Sequence, residues 1–78
     1  MIEIGQVEQL LAVSKYGTLS KAAEALHISQ PALSRAMQKL EEELQVPIFD
    51  REKNRITLNE TGKVAVDYAQ KVLFSAND

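Results

Sequence analysis

The chain has no cysteine, no tryptophan and a single histidine among its 78 residues. Lack of cysteine excludes a disulfide framework, and one histidine cannot supply a cysteine- or histidine-based zinc site. No stretch approaches the roughly 18 apolar residues of a membrane span, and no basic-then-apolar leader pattern opens the chain. A soluble cytoplasmic protein is therefore expected. Internal repeats, low-complexity segments and linkers are also missing, so the sequence reads as one small domain. A domain of this size buries a modest share of its surface and is marginal alone. Without disulfides or metals, close helix packing or a partner chain has to stabilise it.

Excess positive charge is absent too. Nine Lys and Arg stand against eleven Asp and Glu, a net charge of −2, which argues at first against a nucleic-acid partner. The distribution points the other way. Between Thr18 and Lys39 the charges are Lys21, Arg35 and Lys39 against Glu24 alone, and Arg51, Lys53 and Arg55 oppose only Glu52. Phosphates respond to the local field, so these two basic stretches outweigh the sum.

Hydrophobic periodicity supplies the elements. Ile4, Val7, Leu10, Leu11 and Ser14 recur at helical spacing, and Gly17 closes that segment. Thr18 and Ser20 are both competent N-caps for a short second helix, Leu19 to Leu26. Its Ala22 and Ala23 permit close approach by a neighbour. Ser29-Gln30-Pro31 is a helix start, because the proline ring lacks an N–H that would be unpaired in the first turn anyway.

The third helix is expected from about Gln30 to Leu44. It has an apolar stripe of Leu33, Met37, Leu40 and Leu44. Pro31, Ser34, Arg35, Gln38, Lys39 and Glu42 lie opposite. Pro47 ends the helical region. Ile48 to Arg51 and Arg55 to Leu58 read as two strands around Glu52-Lys53-Asn54. Asn59 then caps a last helix that carries Val64, Ala65, Val66, Tyr68, Ala69, Val72, Leu73 and Phe74, more apolar surface than one buried face needs.

Two short helices joined by a tight turn, the second with a polar face, make a helix-turn-helix, whose second helix meets base edges in the major groove through its N-terminal residues. Gln30, Ser34 and Arg35 suit that role, since Gln pairs with adenine, Arg with guanine, and Ser with either. The N–H groups near Ser29 can face a phosphate. A hairpin after that helix forms a wing, with Arg51, Lys53 and Arg55 able to follow the backbone or enter a narrow minor groove.

Thr18-Leu19-Ser20-Lys21-Ala22-Ala23-Glu24-Ala25-Leu26 followed by Ile28-Ser29-Gln30-Pro31-Ala32-Leu33-Ser34-Arg35 resembles the signature of LysR-type transcription regulators. Leu40 to Leu44, Ile48-Phe49-Asp50-Arg51 and Leu58-Asn59-Glu60-Thr61-Gly62 continue the resemblance in register. It implies a mainly α fold, a winged helix-turn-helix with a three-helix core and two-stranded wing (residues 1–58), followed by a linker helix for dimerisation (59–78). It further implies a chain excised from a longer protein whose C-terminal domain senses a small-molecule effector.

By the same resemblance Gln30, Pro31, Ser34 and Arg35 line the major-groove surface. Thr18, Ser20 and Lys39 lie near phosphates, with Ser29 at the helix start, and Arg51 and Arg55 serve the wing. Val64, Ala65, Tyr68, Val72 and Leu73 would join two subunits on double-stranded DNA carrying two half-sites. No cofactor, metal or membrane partner is implied. The family often carries Gly where this chain has Gln45, and Thr where it has Asn59. Gln45 is expected to extend the helix, and Asn59 still to cap.

Weaker readings stand beside these. His27 in the turn suits packing or the surface better than catalysis. Glu41, Glu42 and Glu43 do not face one another on a helix, so a solvated rim is expected rather than acid–base chemistry. A protein-docking winged helix is the competing reading, favoured by the acidic total. An enzyme ranks below it, since no nucleophile–base pair, metal cluster or phosphate loop is present.

Overall fold

A computed structural model describes residues 2–52 and 55–76. The elements run α1 (Ile4–Tyr16), α2 (Leu19–Leu26), α3 (Gln30–Leu44), β1 (Phe49–Glu52), β2 (Arg55–Leu58) and α4 (Glu60–Ala76). The expected hairpin turn at Lys53 and Asn54 lies outside the described residues.

Local chemistry sets most boundaries. Glu3 N–H donates to Gln6 Oε1 at 2.8 Å where α1 begins, and Gly17, at φ 93°, ends that helix by donating its N–H to the Val13 carbonyl. Of the two candidate caps for α2, Thr18 takes the role, its hydroxyl accepting from Lys21 N–H at 3.1 Å, while Ser20 lies inside the helix and is exposed. Ser29 Oγ accepts from Ala32 N–H at 3.2 Å and starts α3.

The core lies where α1, α2 and α3 meet. Val13, Ala22, Leu33, Met37 and Ile48 are fully buried there, with Leu10, Leu19, Ala23, Leu40, Phe49 and Val66 nearly so. Fully burying a Leu or Met side chain contributes about 1.5–3 kcal/mol, so the α3 stripe alone is a large part of what holds so small a domain. On α1 the buried face is Leu10, Ala12 and Val13. Ile4, expected on that stripe, is 65% exposed, because the first turn projects past the core.

The two strands pair antiparallel, with Phe49 opposite Leu58 and Glu52 opposite Arg55. The first strand starts one residue later than its sequence pattern indicates, because Ile48 turns fully into the core. Asn59 Oδ1 accepts from Gly62 N–H at 2.8 Å and caps α4. Its amide also donates to the Pro47 carbonyl at 3.1 Å, and its backbone N–H to the Ile48 carbonyl at 3.0 Å. Gly62 is buried against Ile48, where an added Cβ would collide with the Ile48 carbonyl oxygen. The first turns of α4 are thereby part of the core.

Two expectations are corrected beyond residue 40. Gln45 does not extend α3. It adopts the left-handed conformation at φ 61° and caps the helix, donating its N–H to the carbonyls of Glu41 and Glu42. The chain must reverse there to bring Pro47 and Ile48 back under α3, which explains why glycine suits that place. Glu41 is not part of a solvated rim. Its Oε2 accepts from Ile48 N–H at 2.7 Å and Phe49 N–H at 3.3 Å, and its Oε1 from Arg51 Nη2 at 2.8 Å. Glu42 and Glu43 are exposed, as expected.

Candidate nucleic-acid interface

The turn from His27 to Ser29 sets α2 against α3. His27 takes the left-handed conformation at φ 59° and its N–H meets the carbonyls of Ala23 and Glu24, so the chain leaves α2 sharply. The residue is exposed, consistent with a surface role.

The starts of α2 and α3 and the wing together form one open groove of about 900 Å³, lined by Thr18, Ser20, Lys21, Gln30, Glu52, Arg55 and Ile56. Four residues singled out from the sequence thus converge from three elements: Thr18 and Ser20 at the start of α2, Gln30 at the start of α3, and Arg55 on β2. Both helix starts carry partial positive charge and N–H groups without intrahelical partners. With Lys21 and Arg55 beside them, the groove is chemically suited to a phosphate. Thr18 is buried and already caps α2, so its hydroxyl can only donate outward while still accepting from Lys21 N–H.

The polar face of α3 continues from this groove. Pro31 and Arg35 are exposed, Ser34 is half-buried, and Arg35 and Lys39 border a shallow depression with Ala36, Gln38 and Glu42. Arg51 lies elsewhere. It borders a separate depression with Gln38, Glu41, Glu42, Gln45, Val46 and Pro47, paired with Glu41 and with its guanidinium 5.8 Å from the Phe49 ring centroid. The register explains the split. Arg51 is opposite Ile56 and Arg55 opposite Glu52, and alternate residues of a strand face opposite ways.

Burial of the Glu41 carboxyl acts to raise its pKa, but hydrogen bonds from Arg51 and the two backbone N–H groups, with the Arg51 charge, outweigh it, and the carboxyl sits below its ordinary value. Nothing in residue spacing marks Glu41 out from its two acidic neighbours. Ile48-Phe49-Asp50-Arg51 following the acidic block is the one signal in the sequence that could have found it.

On α4, Val64, Tyr68 and Val72 form a stripe at four-residue spacing, 69%, 69% and 50% exposed. Ala65 and Leu73 are half-buried beside it, and Val66 belongs to the core. The Phe74 side chain lies outside the described residues.

A family model for bacterial regulatory helix-turn-helix proteins of the lysR family matches residues 4–63. The chain belongs to the LysR family. This LysR-family domain is 41% identical over 70 residues to a probable RuBisCO transcriptional regulator of Emiliania huxleyi, a match covering 90% of this chain and 22% of the relative. The Trichormus variabilis protein of the same name is 40% identical, with 90% of this chain and 21% of the relative covered. The chain thus spans about a fifth of the length of the curated relatives it matches.

Among solved structures, the DNA complex of the CbnR DNA-binding domain superposes with a TM-score of 0.86 at 34% identity, covering 97% of this chain and 87% of that one. The BenM DNA-binding domain on its catB site 1 DNA gives 0.84 at 33% identity, covering 97% and 82%. The mainly α winged helix-turn-helix is therefore the fold of this family's DNA-binding domains, and residues 4–63 carry the family's helix-turn-helix.

Proposed function

We propose that this domain reads an operator of two half-sites as a homodimer, each α3 entering one major groove. In this reading Gln30, Pro31, Ser34 and Arg35 meet base edges, and Thr18, Ser20, Ser29, Lys39 and Arg55 meet phosphates or the wing's groove. Arg51 acts on the wing from behind, bracing it through Glu41. The subunits pair through Val64, Ala65, Tyr68, Val72 and Leu73 of α4, and a further C-terminal domain of the longer protein binds the effector. One observation carries the proposal: two helix starts and the wing arginine converge on a single open groove that runs into the polar face of α3.

Selection from a randomised duplex pool tests it. A two-half-site consensus should be enriched at low salt, and absence of any enrichment would sink the DNA reading in favour of protein docking. Arg35→Ala should cost about 1–3 kcal/mol on the selected duplex and relax preference at one position. Lys39→Ala should weaken all sequences alike and lower the salt slope by about one.

A further inference from the structure

Among the described residues, one acid lines the groove between the helix starts and the wing. Glu52 lines it together with Lys21 and Arg55, and in the sheet register Glu52 lies directly opposite Arg55. Residues paired across two strands project from the same face with Cβ atoms about 4.5–5.5 Å apart, so this carboxylate points where Arg55 points. Among the described residues no ion pair joins the two or ties Glu52 to another cation. Glu52 is exposed and contributes nothing to the core. Glu41 is the opposite case: its carboxylate is turned inward and used up on the backbone and Arg51.

We propose that Glu52 is an affinity-setting residue of the DNA interface, a carboxylate that holds down phosphate attraction in the groove. The inference rests on the proposed DNA reading of that groove. Among the described residues the side-chain charges lining it are Lys21, Arg55 and Glu52, so neutralising the acid raises the net charge facing a phosphate by one unit. A unit charge about 6 Å from a phosphate, across a medium of dielectric about 40–80, changes affinity by roughly three- to tenfold. The effect is independent of base sequence and shrinks as salt shortens the screening length from about 10 Å at 0.1 M to about 3 Å at 1 M. Such a brake limits occupancy of sequence-independent sites, where binding is almost wholly phosphate attraction.

The decisive experiment is binding of a random-sequence 24-base-pair duplex, chosen as about two helical turns, by wild type, Glu52→Gln and Glu8→Gln across a salt series. Glu8 is exposed on α1 outside the groove, so its substitution makes the same change in total charge. Glu52→Gln should bind about three- to tenfold tighter at low salt, with a steeper salt dependence, while Glu8→Gln stays close to wild type. Unchanged or weaker binding by Glu52→Gln overturns the inference, and so does an equal gain from Glu8→Gln. A wild type that binds no duplex at low salt would instead overturn the DNA reading itself. Circular dichroism melts of the three proteins keep a folding defect from passing for a change in affinity.

Discussion

Replacing Glu41 by alanine should be among the most damaging single changes available outside the apolar core. The carboxylate takes two backbone N–H bonds, from Ile48 at 2.7 Å and Phe49 at 3.3 Å, and one from Arg51 at 2.8 Å. Hydrogen bonds to a charged group contribute about 1.5–3 kcal/mol each, and an N–H left orphaned in the interior costs its desolvation, about 1–3 kcal/mol. Ile48 is fully buried, so its N–H has no ready route to water. The longer bond to Phe49 is the weaker of the two, and the Arg51 side chain is 39% exposed, which limits that ion pair to at most about 1 kcal/mol.

A loss of about 2–4 kcal/mol follows, large against the ~4–12 kcal/mol expected of a domain this size. In a thermal melt at pH 7 it should lower Tm by about 10–25 °C. Glu41→Gln keeps an acceptor for the backbone but turns an amide toward Arg51, and should lose about half as much. Because the folded carboxyl has a lowered pKa, its stabilisation is present above the unfolded value of about 4.3 and is lost as pH falls through the folded value. The gap between wild type and Glu41→Ala should therefore be full near neutrality and narrow below about pH 4.3. A loss under about 0.5 kcal/mol at pH 7, or a gap that widens toward acid, would refute the clasp.

Gln45 holds a left-handed backbone that glycine adopts without a Cβ penalty, so Gln45→Gly should raise stability by about 0.5–1 kcal/mol in chemical denaturation. Gly62→Ala places a Cβ into the Ile48 carbonyl oxygen and against Leu58. It should cost about 2–3 kcal/mol in the same assay even though alanine is the better helix former. The exposed stripe of α4 predicts that Tyr68→Glu leaves the melt of the monomer nearly unchanged while sedimentation equilibrium shows weakened self-association. Equal association by wild type and Tyr68→Glu would remove α4 as the pairing surface.

Helix limits are legible in the residue order because their causes lie within a turn of themselves. Thr18, Ser29 with Pro31, and Asn59 each cap through a side chain reaching three residues along the chain, or through a ring that suits the first turn. The apolar stripe of α3 and the close-packing alanines of α2 follow from periodicity alone, and so does the surplus apolar surface of α4.

What tertiary structure decided are the consequences of chain reversal. Whether Glu41, Glu42 or Glu43 turns inward depends on where Ile48 returns beneath α3, which spacing along one helix does not report. Gln45 reads in sequence as one more helical residue because nothing local forbids it, and the return of the wing imposes its left-handed turn. Arg51 and Arg55 look alike in the sequence as basic wing residues. The strand register sends one behind to brace Glu41 and the other into the groove with Thr18, Ser20 and Gln30. The missing excess of positive charge resolves in the same way: a net charge of −2 is a sum over the chain, whereas a phosphate meets only the groups that folding gathers around it.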